Sequence, residues 1–184
     1  MLWIILIIVV LLILFIISVY NSLVTLRQHV KNAFGQMDVQ LQRRFDLIPN
    51  LVETVKGYMT HESDTLAKVT ELRTAWAGAK TVDEKAKLDN ELSNTLKTIM
   101  AVAEAYPDLK ANQNFESLQN ELTETEDKIS YSRQFYNDTV TRYNTKLELF
   151  PSNIIAGMFH FTAESLFEVD SAEARKNVKV DFNK

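Results

Sequence analysis

The residue types best suited to metal binding or proton transfer are the three histidines, His29, His61 and His160, and only His61 has an acidic neighbour. The helical zinc motif needs a second histidine four residues further on, where this chain has a threonine. Even with Asp64 on the same helix face, His61 would supply fewer ligands than a zinc site uses. We therefore predict no metal site and no bound cofactor.

Nucleophilic and phosphate-binding chemistry also lacks its usual residues. The chain has no cysteine, which rules out disulfides, thiolate metal sites and lipoprotein attachment. Its glycines, Gly35, Gly57, Gly78 and Gly157, do not cluster into a phosphate-cradling loop. No serine or threonine has a base at a recognisable spacing. We predict that the chain has no catalytic residues and is not an enzyme.

The overall charge argues against a nucleic-acid partner. The chain has 20 basic and 24 acidic residues and a net charge of −4, whereas proteins that neutralise phosphates carry a basic excess. The charge is unevenly distributed, because residues 21–60 carry +5 and −3 and residues 61–184 carry +15 and −21. The basic part of the chain is therefore its N-terminal part.

An apolar stretch at the N-terminus has the length of a membrane span. Every residue from Leu2 to Ile17 is apolar, and the next three residues extend the stretch. About 19 residues at ~1.5 Å each span roughly 28 Å, which matches the hydrocarbon core of a bilayer. A cleaved signal peptide would need a basic start, a shorter apolar region and small residues at its cleavage site, so we predict an uncleaved anchor over residues 1–20. The anchor residues that we single out are Leu2, Trp3, Ile4, Phe15, Ile17 and Tyr20.

The charges that follow the span predict its orientation. No charged side chain precedes Arg27, whereas Arg27 and Lys31 follow the span closely. Basic residues beside a span favour the cytoplasmic side of the membrane. We predict that membrane lipid is a partner, that the short N-terminus lies outside and that the rest of the chain is cytoplasmic.

Arg43 and Arg44 are the sharpest charged feature of the basic part. They lie about 35 Å beyond the span, too far to meet lipid headgroups from an upright helix. We favour pairing with acids of a neighbouring helix or subunit, and the acid-only stretch between Lys110 and Lys128 offers such acids. The candidate inter-subunit charges are Arg43, Arg44, Glu121 and Glu124.

The chain after the span is predicted to be all-α. Apolar residues recur at three- and four-residue steps, and four glycines and three prolines leave few turns. We expect the membrane helix to continue as a stalk and helices over about 21–48, 50–79, 82–106 and 112–150, packed as an antiparallel bundle. Pro49 either kinks the first of these helices or opens the second, with Asp46 as a candidate N-cap. Thr81 and Glu84 form a capping-box pattern before the third.

The last of these helices, which Asn112 or Asn114 could cap, carries a seam residue at every seventh position. A strict seven-residue repeat is typical of coiled-coil-like packing. Two seam tyrosines are each followed by asparagine, and a tyrosine in a seam normally packs its ring while its hydroxyl reaches a polar partner. The seam residues are Phe115, Leu122, Ile129, Tyr136, Tyr143 and Phe150.

A short apolar helical segment over residues 151–168 and a polar tail over residues 169–184 complete the chain. The segment is either a lid over the bundle end or an interfacial segment that touches the membrane or a neighbouring subunit. We favour the lid, because isolated apolar stretches usually find their own core. In the tail, the alternation over residues 178–182 could add as an edge strand or dock as a peptide, although a loosely held tail is the simpler interpretation. The lid or interfacial residues are Ile154, Ile155, Met158, Phe159 and Phe161.

Several motifs of this chain are similar to those of the LemA family. The anchor followed by YNSLV and LR resembles the opening of that family, and residues 38–58, with the run RRFDLIPN, resemble it further. The resemblance covers roughly residues 20–168 and implies a bacterial single-pass protein of the inner membrane, with a long helical bundle and no established catalytic activity. The similarity continues through residues 61–62, residues 104–112, Glu126, Arg133, Tyr136-Asn137, Tyr143-Asn144 and residues 150–153.

The function that we favour at this point is a structural one. The missing chemistry, the basic stalk beside an acidic helix and the long seam indicate a membrane-anchored scaffold that forms a homo-oligomer and organises or shapes the bacterial membrane. Attachment to one membrane raises the effective concentration of weak lateral contacts. The alternative is an adapter that presents or regulates a membrane partner, such as a protease or a signalling protein, with residues 154–167 or 178–182 as the docking piece.

Overall fold

The computed structural model describes residues 1–59 and 61–168 of the chain. The described residues are 83% helical and contain no strand, so the predicted all-α class with a long apolar N-terminal helix is confirmed. The predicted alternation over residues 178–182 lies outside the described residues. The helices are α1 (Leu2–Asp46), α2 (Ile48–Lys56), α3 (Ser63–Gly78), α4 (Val82–Ala103), α5 (Pro107–Lys110), α6 (Gln113–Glu148) and α7 (Ser152–Met158).

Helix α1 joins the apolar span to the bundle without a break. It has 45 residues, which at ~1.5 Å each make a rod of roughly 68 Å. Its apolar part reaches a mean hydropathy of 3.6 over 18 residues, of which 6% are buried, so it is long and apolar enough to cross a membrane. The predicted continuation of the span into a stalk is confirmed.

Pro49 interrupts the helix at Leu47 and lies in the first turn of α2. The interruption is slight, because Leu47 keeps a right-handed helical conformation and its N–H donates to the carbonyl of Arg43 at 3.3 Å. Proline has no N–H to donate, which explains why one helical hydrogen bond is lost here. Asp46 does not cap α2, and its carboxylate instead accepts from the Gln42 side chain at 2.8 Å.

The single helix predicted over residues 50–79 is wrong, because the chain forms α2 and α3 there. Gly57 ends α2, and the chain turns before α3 begins at Ser63. The break lets α3 fold back against both α2 and α4. The capping box before α4 is confirmed: Glu84 N–H donates to the Thr81 hydroxyl at 3.2 Å, and Thr81 N–H donates to the Glu84 carboxylate at 3.1 Å. Helix α4 ends at Ala103, earlier than the predicted 106.

Helix α6 packs antiparallel along α1, and this is the largest contact between two helices of the described residues. Asn112 caps it, since its side-chain oxygen accepts from Asn114 N–H at 2.9 Å. Phe150 is wrong as a seam residue: α6 ends at Glu148, and the Phe150 side chain is 79% exposed. The remaining seam residues are buried in the main core: Phe115, Leu122, Ile129, Tyr136 and Tyr143.

Candidate membrane interface

Helix α7 lies against α1 where the apolar span ends. Pro151 precedes α7, and the Ser152 hydroxyl donates to the carbonyls of Lys146 and Leu149 at 2.7 and 2.8 Å. These carbonyls belong to the last turn of α6 and the residue after it, so Ser152 fixes α7 to the end of α6. A small buried cluster, separate from the main core, joins α7 to α1. Its members are Val19, Leu23, Ile155 and Ala156.

Most apolar side chains around α7 are exposed. Among the five residues predicted to form a lid or an interfacial segment, Ile155 is buried, Phe161 is half-buried, and the other three are exposed. Burial of the kind expected of a lid is therefore limited to one face of α7. The exposed apolar residues, which we call the foot residues, are Leu149, Phe150, Ile154, Met158 and Phe159.

Aromatic rings line the junction between the span and the bundle. The Tyr20 ring lies 4.8 Å from that of Phe159 and 5.7 Å from that of Phe161, measured between centroids. The Arg27 guanidinium lies 5.0 Å from the centroid of the Phe161 ring. Aromatic residues with a basic neighbour are typical of the membrane–water boundary.

Two asparagines of α6 hold the chain that follows α7 in an extended strap, residues 161–168. His160 has a φ of 55°, a left-handed conformation that reverses the chain after α7. Asn144 donates to the carbonyl of Glu164 at 2.9 Å and accepts from its N–H at 3.0 Å. Asn137 makes the same pair of bonds with Phe167, at 3.2 and 2.8 Å. Each asparagine therefore satisfies both main-chain polar groups of one strap residue.

The seam tyrosines next to these asparagines bind the strap as well. Tyr143 donates its hydroxyl to the carbonyl of Thr162 at 3.0 Å, and Tyr136 donates to that of Ser165 at 2.8 Å. The predicted polar partner of each hydroxyl is thereby confirmed. Burial raises the pKa of Tyr136 to about 12 and also raises the pKa of Tyr143, because the phenolate would lose its water.

The four candidate inter-subunit charges have different surroundings. Arg44 is buried within the chain, and its Nη1 lies 2.9 Å from Asp89 of α4 and 2.9 Å from Glu126 of α6. Burial raises the pKa of Asp89, against the opposing effect of the Arg44 charge. The other three are not buried. Glu124 pairs with Lys128, and this pairing, helped by the charge of Arg43, lowers the pKa of Glu124. The fourth, Glu121, is half-buried.

A second exposed apolar surface lies where α1 and α6 meet, far from the span. Val39 and Tyr131 line the same groove and are 64% and 76% exposed. Phe135 is exposed one helical turn from Tyr131, and the side-chain oxygen of Gln40 is buried without a hydrogen-bond partner among the described residues. We call Val39, Tyr131 and Phe135 the flank patch. The seven-residue repeat did not indicate it, because the patch lies outside the seam.

The sequence signal for the strap was present but incomplete. The repeated Tyr-Asn pair places both asparagines beside the seam, yet the partner segment lies 20 and 30 residues away. Among the described residues, no group of three or more acidic or histidine side chains is arranged to hold a metal ion.

The fold and its apolar helix define a class, that of helical proteins with an N-terminal helix able to anchor them to a membrane. The chain belongs to the LemA family, whose pattern matches residues 33–182. It is 24% identical to the protein called LemA of Metamycoplasma hominis over 155 residues, 83% of this chain and 70% of that protein.

Proteins described as magnetosome proteins are also similar. The chain is 25% identical over 175 residues to magnetosome protein MamQ 2 of Paramagnetospirillum magneticum, and 22% identical over 174 residues to magnetosome protein MamQ of Magnetospirillum gryphiswaldense. The alignments cover 81% and 80% of this chain, and this chain spans 64% of either relative. The similarity to these relatives agrees with a membrane-associated helical protein.

Proposed function

We propose that this chain is a membrane-anchored helical scaffold. In this proposal α1 crosses the bacterial inner membrane once, the bundle stands in the cytoplasm, and copies associate laterally to organise or shape the membrane. The observation that carries the lateral association is the flank patch, an exposed apolar surface formed by α1 and α6. An exposed apolar patch on a folded protein is typical of an interaction site.

The contacts inside the chain favour the flank patch over the charges as the lateral surface. Arg44 is occupied by Asp89 and Glu126 of its own chain, so it is not available to a second copy. Two copies anchored in one membrane meet at a high effective concentration, so a small patch suffices for association.

Cysteine cross-linking tests this proposal directly, because the natural chain has no cysteine. We expect Val39→Cys and Tyr131→Cys in the full chain, reconstituted in vesicles, to give covalent dimers on mild oxidation. Arg73→Cys, exposed on α3 and outside the patch, is the matched control and should stay monomeric. Adding Phe135→Glu should reduce the dimer yield at Val39→Cys. Full-length protein that is monomeric in detergent at every concentration and gives no patch dimers in vesicles would overturn the proposal.

The second candidate is the adapter, and one groove favours it. Arg44 and Glu126 line a groove between α4 and α6, together with the apolar residues Leu96, Met100 and Leu122. A groove that combines apolar and charged residues is the kind of surface that takes an amphipathic helix of a partner. Cross-linking in cells separates the two candidates, since a stoichiometric adduct with another protein supports the adapter and self-adducts alone support the scaffold.

A further inference from the structure

The register of the two long helices places the start of α7 level with the end of the apolar span. Arg44 faces Glu126, and the Phe34 ring lies 5.7 Å from the Tyr136 ring. Each residue further along α1 therefore lies level with one residue earlier in α6. The same register brings residue 150 level with residue 20, where the apolar span ends.

The buried contacts of α7 give the same level independently. Ile155 and Ala156 pack on Val19 and Leu23, and Ile16 of the span packs against the same cluster. The span from Leu2 to Tyr20 covers roughly 28 Å, the thickness of the hydrocarbon core. With α1 crossing the membrane as proposed above, Val19 lies at the edge of that core, and α7 beside it lies at the boundary between acyl chains and headgroups.

The side-chain types of this region change with distance from the apolar span, in the order found at a membrane boundary. Residues 149–163 contain no Asp, Glu, Lys or Arg. Phe159 contacts Tyr20, at the end of the span. Phe161 contacts Arg27, which is about 10 Å further along α1, beyond the end of the span. Apolar, then aromatic, then cationic groups follow one another outward, as they do in the interfacial belt of membrane proteins.

From these observations we propose that α7 and the preceding turn form an interfacial foot that inserts into the leaflet from which α1 emerges. The occupant of the exposed surface is phospholipid, and the foot residues contact the acyl chains near the headgroups. Ile154 and Met158, 54% and 61% exposed, are one helical turn apart and lie on the lipid side of α7. The inference rests on the proposed membrane anchor, since the foot has no bilayer to enter unless α1 crosses it.

The strap gives the foot a fixed position. Asn144 and Asn137 bind residues 164 and 167, and Ser152 ties the start of α7 to α6. Both ends of the foot are therefore attached to the same rigid helix. A foot held in this way contacts the membrane on one side of α1, which would fix the rotation of the bundle about the span.

Fluorophore depth measurements on the full chain test the foot. Ile154→Cys and Met158→Cys each carry an NBD label, in vesicles of phosphatidylcholine and phosphatidylglycerol. Leu11→Cys, in the middle of the span, is the control for the anchor, and Asn120→Cys, exposed near the far end of α6, is the control for the aqueous bundle. We expect both foot labels to be quenched strongly by lipids with a nitroxide near the headgroup. We also expect iodide to quench the foot labels several-fold less than the Asn120→Cys label.

The outcomes separate the foot from the anchor. If iodide quenches the foot labels as strongly as the Asn120→Cys label while the Leu11→Cys label stays protected, the anchor stands and the foot is wrong. If the foot labels are protected from iodide but not quenched by the lipid nitroxide, protein rather than lipid covers them and the foot is likewise wrong. If the Leu11→Cys label is itself open to iodide, the anchor is wrong and the foot fails with it.

Discussion

Asn144 of α6 and Glu164 of the strap exchange two hydrogen bonds, because the asparagine amide donates to the Glu164 carbonyl at 2.9 Å and accepts from its N–H at 3.0 Å. The extended strap has no neighbouring strand among the described residues, so these side-chain bonds replace a ladder. The position of α7 therefore depends on side chains whose role is to bind main chain.

Replacing this asparagine should release the strap. We expect Asn144→Leu to remove both bonds and to lower the free energy of unfolding by about 1–3 kcal/mol. Hydrogen exchange should show that the Glu164 amide loses protection while amides in the middle of α6 keep theirs. Asn120→Leu, exposed on the same helix, is the control and should change neither. Unchanged protection at Glu164 in Asn144→Leu would contradict the role assigned to the asparagine.

The adjacent arginines Arg43 and Arg44 should differ sharply in their effect on stability. The side chain of Arg44 is 5% exposed and that of Asp89 is 1% exposed, so Arg44→Met leaves a buried carboxylate without its cation. We expect this change to cost about 3–5 kcal/mol in urea unfolding of the full chain in detergent, followed by circular dichroism. Arg43→Met, at an exposed position, should stay within about 0.5 kcal/mol.

A double variant tests whether the loss comes from the unpaired charge. Arg44→Met with Asp89→Leu replaces the buried pair by apolar groups, which is often neutral. Glu126 is 45% exposed and can turn towards water. We expect the double variant to recover most of the stability lost in Arg44→Met. A double variant no more stable than Arg44→Met would show that the cost is one of packing.

The buried hydroxyl of Tyr136 predicts a loss of stability at high pH. Its pKa is raised from 10 to about 12 in the folded protein, so between these values the unfolded chain ionises while the folded one stays neutral. The contribution is fully present below pH 10 and is lost as the pH rises towards 12, by up to about 3 kcal/mol. Urea unfolding at several pH values measures it.

Tyr136→Phe provides the comparison for this titration. At pH near 8 we expect the variant to be about 1 kcal/mol less stable, because it lacks the hydrogen bond to Ser165. Above pH 10 its stability should fall less steeply than that of the natural chain, so the two curves should converge and cross before pH 12. Parallel curves over this range would show that Tyr136 does not cause the alkaline loss.

The capping box of α4 offers a local test that leaves the charges intact. Thr81→Ala removes the hydroxyl that accepts from Glu84 N–H at 3.2 Å. We expect a loss of about 1 kcal/mol in the free energy of unfolding, the usual cost of losing such a cap. Thr98→Ala, an exposed threonine inside the same helix, is the control and should not destabilise the protein. Equal losses in the two variants would argue against a specific capping effect.

The sequence alone determined the features that depend on neighbouring residues. The apolar span, the Thr81 capping box and the burial of most seam positions follow from composition and from three-, four- and seven-residue spacing, which act within one helix. Spacing failed at Phe150, because the helix that would have carried it stops at Glu148. It also failed over residues 50–79, where the chain turns back so that α3 can pack against α2 and α4.

The tertiary structure decided which distant groups meet. Arg44 finds Asp89, 45 residues away, and Asn137 finds Phe167, 30 residues away, since the helix packing and the reversal at His160 bring them together. The sequence does not indicate which distant residue a single charged or amide side chain will contact. The level of α7 is likewise a tertiary result, because it follows from the antiparallel register of α1 and α6. Local spacing fixes helices in this protein, and the contacts between helices fix the site.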